Sequence, residues 1–279
     1  MPEGPEVRRE ADSIARVLVG EPIADVWFAF EHLRRWSGFL RGVPLLGVDS
    51  RGKAMLIRFA NGVNIYSHNQ LYGRWFVKPR GQLPKTNRQL RLAVHTEKHS
   101  ALLYSASDIE VLSDEELESH SFLARLGPDV LSKDVGPSEI QSRLQDSRFR
   151  RRSLGGLLLD QTFVSGLGNY LRSEILFVAR LRPEARPIDL GEVSREELAT
   201  AISEITLRSY RHRGVTNDLD DMRRLRSEGV ARRDYRHYVF ARSGKQCRLC
   251  GEIVEKLESA GRRLYLCPAC QPASDGRSA

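Results

Sequence analysis

Four cysteines constrain the folding of this chain more than any other feature. All lie within the last thirty-three of its 279 residues, as Cys247-x-x-Cys250, sixteen residues, then Cys267-x-x-Cys270. Two Cys-x-x-Cys units so spaced form the paired knuckles of a zinc site. Four thiolates complete a tetrahedral shell with no open position, so the single Zn2+ they imply is structural. One tight cluster also argues against a disulfide framework spread through a secreted fold. Between the knuckles, residues 253–257 and 264–266 read as the strands of a hairpin. Its turn, Ser259-Ala260-Gly261-Arg262-Arg263, projects basic side chains, as an ordinary solvated turn also would.

The opposite end carries a different chemistry. The initiator Met is trimmed when a small residue follows it, leaving Pro2 of Pro2-Glu3-Gly4-Pro5-Glu6 with a secondary amine. An α-amino group titrates at roughly 7.7–8.0, so a sizeable share is unprotonated at neutral pH. Such an amine can attack an aldehyde-like carbon to give an iminium. Glu3 beside it could move the proton, with Glu6 one helical turn further on. The competing reading is that Gly4-Pro5-Glu6 simply starts a helix, with proline first and an acid near the positive end of the dipole.

Between these ends the periodicity changes once. Val7, Ala11, Ile14, Ala15 and Leu18 recur at helical steps, predicting a helix over 5–19 that stops at Gly20. Short β-rich segments follow at 23–30, 45–49, 54–59, 63–66, 74–77, 90–95 and 101–105, the pattern of an antiparallel sandwich or barrel. Asn61-Gly62 marks one hairpin within it. From 114 to 134 the pattern turns polar, and helices are predicted over 137–144, 154–164, 169–179 and 195–210. Residues 208–236 hold nine Arg against five acids with little periodicity, and read as a mobile basic loop. The expected fold class is a multidomain α+β chain. Its parts are a β-sandwich domain with a leading helix (1–124), a linker (125–134), a helical domain (135–236), a zinc finger (237–272) and a disordered tail (273–279).

Lys+Arg 44 against Asp+Glu 36 gives a net charge of +8, the electrostatic footprint of a nucleic-acid binder. The apolar fraction of 41% supports ordinary cores. No apolar run approaches the ~18–20 residues of a membrane span and no signal peptide is present, so a soluble intracellular protein is expected.

Three internal motifs could serve nucleic acid. Gly166-Leu167-Gly168-Asn169 opens a helix, where glycines admit a phosphate to free N–H groups, and Asn169 could add a side-chain donor. Lys53 sits in Arg51-Gly52-Lys53-Ala54, where a strand end can aim an ammonium into a cleft; an exposed lysine is the plainer alternative. His68-Asn69-Gln70-Leu71-Tyr72-Gly73 could wedge into a base stack, or Leu71 and Tyr72 could cap the sandwich.

In this order and combination the motifs resemble the bacterial glycosylase/lyases that group formamidopyrimidine-DNA glycosylase with endonuclease VIII. The 67–73 loop and Tyr104–Asp108 look like the endonuclease VIII branch. The resemblance implies a helix–two-turn–helix domain and base excision repair: removal of oxidised pyrimidines through a Schiff base, then β,δ-elimination at the abasic site. It implies Pro2 as nucleophile on C1′ and Glu3 as proton donor and acceptor. Lys53 would be the acid of β-elimination and Arg262 of δ-elimination, with Arg263 able to share that role. Gln70, Arg125 and Asn169 would contact DNA, and Leu71 and Tyr72 would fill the gap left by the extruded base. The expected partner is damaged double-stranded DNA, bound by a monomer in the cytoplasm at the nucleoid. The alternatives are a glycosylase for oxidised purines, or a zinc-finger nucleic-acid binder without catalysis.

Overall fold

The computed structural model describes residues 2–273. The tail expected over 273–279 lies, from 274 onward, outside the described residues. The chain divides into two compact units, Met1–Arg125 and Leu126–Ala279.

The first unit is built around its leading helix. In α1 (Gly4–Leu18), Val7, Ala11, Ile14 and Leu18 are buried, one stripe at steps of three and four. Pro5 stands in the first turn, and Gly20 takes φ +82° just beyond the helix end. After β1 (Asp25–Phe28), inside the segment predicted over 23–30, and the unannounced α2 (Trp36–Leu40) come β2 (Leu45–Arg51), β3 (Ala54–Phe59) and β4 (Val63–His68). There follow β5 (Arg74–Pro79), β6 (Leu90–His95), β7 (His99–Tyr104), β8 (Asp108–Ser113) and α3 (Asp114–Glu118). Two four-stranded antiparallel sheets result, β2-β3-β4-β8 and β1-β6-β7-β5. Ile57 and Ile65 of one sheet, Phe28 and Leu103 of the other, and Ile14 of α1 share one buried core. The sandwich is as expected.

Two hairpins position function. β2 and β3 join through Gly52-Lys53 alone, since Arg51 pairs with Ala54. Gly52 takes φ +62°, so a glycine at the first turn position lets the strands reverse in two residues. β3 and β4 pair from Arg58↔Asn64 outward, which leaves a three-residue loop after Phe59. Only Gly62 there is left-handed (φ +75°), the glycine after a right-handed turn and not a two-residue Asn-Gly turn.

In the second unit, α4 (Pro137–Gln145), α5 (Leu154–Leu157), α6 (Asn169–Val178) and α7 (Glu192–Arg211) pack around Leu157, Phe163, Leu171, Ile175 and Ile202. Two expectations are corrected here. The helix predicted over 154–164 ends at Leu157 and gives way to turns. Asp160 Oδ1 accepts from the Thr162 N–H (2.8 Å), and Gln161 binds Leu159 O, Leu167 O and the Gly166 N–H at 2.9, 3.0 and 3.1 Å. These side chains take over backbone groups that a helix would have used.

The basic segment 208–236 is not a mobile loop. It holds α8 (Leu219–Ser227), N-capped by the Asp218 carboxylate, and α9 (Arg232–Tyr235). Arg224 pairs with Asp221 (2.5 Å) and Glu228 (2.8 Å), so part of the basic charge is met within the segment. The fully buried Glu174 of α6 accepts from the N–H groups of Tyr238, Val239 and Phe240 (2.7, 2.9 and 2.8 Å) and from Thr216 Oγ1 (2.5 Å). That carboxylate pins to α6 the two stretches that bracket α8 and α9, at Thr216 and at Tyr238 to Phe240.

The C-terminal hairpin is β9 (Glu255–Ser259) with β10 (Arg262–Leu266), shifted toward the tip from the strands predicted at 253–257 and 264–266. Arg262 and Arg263 therefore begin a strand and do not lie in the turn, which is Ala260-Gly261 with φ +52° and +67°.

Candidate active site and nucleic-acid interface

Pro2 stands immediately before α1, and Glu3 is the helix N-cap, in extended conformation and only 3% exposed. Glu6 returns its carboxylate to the Glu3 N–H (3.1 Å). The helix start thus fixes the backbone next to the Pro2 nitrogen. Pro2 lines a cavity of about 690 Å³ with Glu6, Glu10, Leu71, Tyr72 and Trp75. Glu10 is held there by the Asn69 amide (Nδ2 to Oε2, 2.7 Å). Burial raises its carboxyl to about 7, against the opposing pull of that hydrogen bond, of the Trp75 backbone and of Arg74.

The loop after β4 is tightly determined. The Gly73 N–H donates to Asn69 O (2.7 Å), and a Cβ built on Gly73 would overlap that same carbonyl. Gln70 takes φ +50°, its N–H donates to His68 Nδ1 (3.1 Å), and its Oε1 accepts from Ser107 Oγ (2.9 Å). Burial foremost, and then the Lys53 ammonium, hold His68 below its ordinary pKa, consistent with an Nδ1 that accepts. At the tip, Leu71 and Tyr72 are 63% and 67% exposed. They do not cap the sandwich. Lys53 is 7% exposed, at the end of the β2–β3 hairpin beside the β4 terminus. It is not the exposed lysine of the plainer alternative. Arg125 is exposed, and its Nε donates to Ser121 O (2.8 Å).

In the second unit, Gly166 takes φ +97° and Gly168 is the extended N-cap of α6, so Asn169 opens that helix. The four cysteines converge. Cys247 and Cys270 Sγ lie 3.8 Å apart, Cys250 and Cys267 Sγ 3.4 Å, and all four sulfurs fall within 4.8 Å of one another. A tetrahedron with Zn–S of about 2.3 Å has edges of roughly 3.8 Å, so the set fits one zinc.

Three sequence profiles match in order: the formamidopyrimidine-DNA glycosylase N-terminal domain over residues 1–107, that enzyme's H2TH domain over 126–219, and a zinc finger found in FPG and IleRS over 244–273. Proteins named endonuclease 8 from Salmonella agona (strain SL483) and Salmonella enteritidis PT4 are each 45% identical over 97% of this chain and 100% of theirs. The chain belongs to the formamidopyrimidine-DNA glycosylase family, in its endonuclease VIII branch. The fold agrees with Lactococcus lactis formamidopyrimidine-DNA glycosylase bound to DNA containing an AP site. The TM-score is 0.78 at 21% identity, covering 97% of this chain and 100% of that one. A second structure of that enzyme, with DNA containing an oxidised pyrimidine, gives 0.78 at 23% identity over 98% and 100%. One structural zinc belongs to this family chain, held by Cys247, Cys250, Cys267 and Cys270.

Within this endonuclease VIII relative, the structure brings Pro2, Leu71 and Tyr72 to one cavity, with Glu3 next in the chain, but Lys53 is not among that cavity's lining residues. Asn169 and Arg262 are linked through a residue the sequence did not single out. Arg172 is fully buried, and its Nη2 donates to Asn169 Oδ1 (2.8 Å) and Arg262 O (3.4 Å). Also missed were Glu10, which follows Glu3 and Glu6 along α1, and Asn69. The available signal for Arg172 and Glu174 was two charges in the middle of an otherwise largely apolar helix, with Tyr170 and Leu171 before them and Ile175, Leu176 and Phe177 after.

Proposed function

We propose that this DNA glycosylase/AP lyase of base excision repair removes oxidised pyrimidines from damaged duplex DNA, with Pro2 as nucleophile. The supporting observation is that Pro2 shares its cavity with the exposed Leu71 and Tyr72, beside a buried Glu3. A damaged base must leave the stack to be reached, and extrusion is cheapest for lesions that already pair badly. Leu71 and Tyr72 fill the vacated space, and Gln70 faces the orphaned partner. The Pro2 nitrogen bonds to C1′ as the glycosidic bond breaks, while Glu3 relays the proton to the sugar oxygen, opening the ring to an iminium. Loss of the C2′ proton then expels the 3′ phosphate, assisted by Lys53, and loss of the C4′ proton expels the 5′ phosphate, assisted by Arg262. The zinc keeps the hairpin folded and supplies no step. Arg125 and Asn169 grip phosphates, which positions the strand without reading sequence. Each chain carries both sets of residues, so it acts as a monomer, in the cytoplasm where nucleoid DNA lies.

The test is borohydride trapping on duplexes carrying thymine glycol or dihydrouracil. The mature chain should be trapped, and a version retaining Met1 or an N-terminal tag should bind DNA yet not be trapped. Trapping by the blocked chain would exclude Pro2. Faster excision of 8-oxoguanine opposite cytosine would assign the oxidised-purine substrate instead, and binding without trapping by the mature chain would leave only a binder.

A further inference from the structure

We propose that Arg172 is a positioning residue that locks the Asn169 amide and the β10 backbone beneath Arg262 into a single phosphate-gripping unit. The proposal rests on the function proposed above. Arg172 is 0% exposed. Its Nη1 donates to Gly155 O (2.8 Å) and Ser259 O (3.0 Å), and its Nη2 to Asn169 Oδ1 (2.8 Å), Arg263 O (3.2 Å) and Arg262 O (3.4 Å). One guanidinium therefore ties the start of α6, the short helix α5 and both sides of the hairpin tip.

Two consequences follow from donor chemistry. Arginine only donates, so the oxygen of the Asn169 amide must face it, and the NH2 is directed away from Arg172. That end is the donor a phosphate oxygen requires. Strand alternation sets the second. Leu264 and Leu266 pack into the core that holds Tyr170 and Leu171, whereas Tyr265 packs with Phe177 and the cysteines. Arg262 shares the face of Leu264 and Leu266, and Arg263 shares that of Tyr265. Arg262 is accordingly on the Asn169 side, and Arg172 holds the carbonyl at its root. The hairpin tip also sits so close to α5 that a Cβ on Gly155 would overlap Ser259 Oγ. A lysine could not replace this fork, having three donors on one atom and no planar spread.

The experiment compares wild type, Arg172→Lys, Arg262→Ala and the double variant in single turnover on an abasic-site duplex, with zinc content measured on each. Arg172→Lys should keep its zinc, and with enzyme in saturating excess its borohydride trapping and β-elimination should fall far less than its δ-elimination. Its δ product relative to β should fall about tenfold to a hundredfold, the scale expected of an ångström-level misplacement. Its slope of log binding against log salt should lessen by about one phosphate contact. In the double variant the δ:β ratio should equal that of Arg262→Ala alone, because the two losses act through one group. An unchanged δ:β ratio in Arg172→Lys, or additive losses in the double variant, would overturn the proposal. Should Arg172→Lys lose its zinc, Asn169→Ala with Arg262→Ala decides instead: sub-additive loss of the δ product supports one unit and additive loss overturns it. Failure of the proposed function has a different signature, since wild type itself would then give no trapped complex or no δ product.

Discussion

The loop from Asn69 to Gly73 and the hairpin tip from Ser259 to Arg262 solve one problem in opposite ways. Each presents functional side chains from a tight turn that places a non-glycine residue in the left-handed region, Gln70 at φ +50° and Ala260 at φ +52°. Each also depends on a glycine at a point of backbone closure or packing, Gly73 against Asn69 and Gly155 against Ser259. Such turns are costly and persist where surroundings over-determine them. The tip of the hairpin is held by the Arg172 guanidinium, and its base by four thiolates on zinc. The Asn69 loop is held by Glu10, a carboxyl raised to about 7. An arginine fork and a metal suit a grip whose geometry must not vary; a carboxyl raised to about 7 makes the anchor of the Asn69 loop sensitive to pH near neutrality.

The largest effect should come from breaking the metal anchor. Cys267→Ser removes a buried ligand, and structural zinc contributes roughly 10–16 kcal/mol of apparent binding energy in zinc-finger peptides, most of which the variant forfeits. Elemental analysis should show zinc lost, with β9 and β10 unpaired, although Leu264 and Leu266 still have a core to occupy. Stoichiometric zinc in the variant would mean that three thiolates suffice.

Gly73→Ala is the corresponding break in the loop. The added methyl must move either Asn69 or its own backbone, at about 1–3 kcal/mol. Excision from duplex lesions should fall at least about tenfold, while zinc content and cleavage of a preformed abasic site in single-stranded DNA hold. Equal losses on duplex and single strand would show that the loop does more than fill the stack.

How far these features were legible depended on the distance of their causes. The zinc ligands, the stripe of α1 and the Asn61-Gly62 hairpin follow from neighbours within a few residues, and all were readable. β8 was not, because its alternation begins at Asp108 after a polar run and its burial comes from β4, some forty residues upstream. The turns after Leu157 were masked by a continuing apolar pattern, although Gly155-Gly156 and the side chains of Asp160 and Gln161 argue against helix. α8 did carry a signal in Asp218 as cap, acids in its first turn, arginines in its last and Leu219, Met222 and Leu225 at three-residue steps, but the low apolar content of so charged a segment hid it. Arg172 and Glu174 were least legible. Their polar partners come from positions as far apart as Gly155, Thr216, Tyr238 and Arg263, contacts that no local pattern encodes.

Glu10→Gln sharpens the contrast in pH response. The folded carboxyl titrates near 7 and the unfolded one near 4.5, so burial favours the protonated form. Its stabilising effect is present below about 4.5 and lost as pH rises through 7, where the ionised group costs at most about 3 kcal/mol. Glutamine keeps an oxygen for the Asn69 amide and cannot ionise. The variant should therefore match wild type in unfolding at pH 4, begin to exceed it by pH 5, and exceed it fully at pH 8. Identical midpoints at pH 4 and pH 8 would show that Glu10 is already solvated when charged.

The smallest expected effect isolates turn strain from function. Ala260-Gly261 occupies a two-residue turn with both residues left-handed, a conformation that asparagine accepts at its first position far better than alanine does. Ala260 is exposed, so the larger side chain has room toward solvent. Ala260→Asn should stabilise the hairpin by about 0.5–1 kcal/mol, seen as slower zinc release to a chelator, without altering the ratio of δ to β product. Arg172 bonds the backbone on both sides of this turn, at Ser259 and Arg262, and those carbonyls do not move when the turn merely relaxes. A changed product ratio in Ala260→Asn would mean that the strained turn, and not Arg172, sets where Arg262 lies.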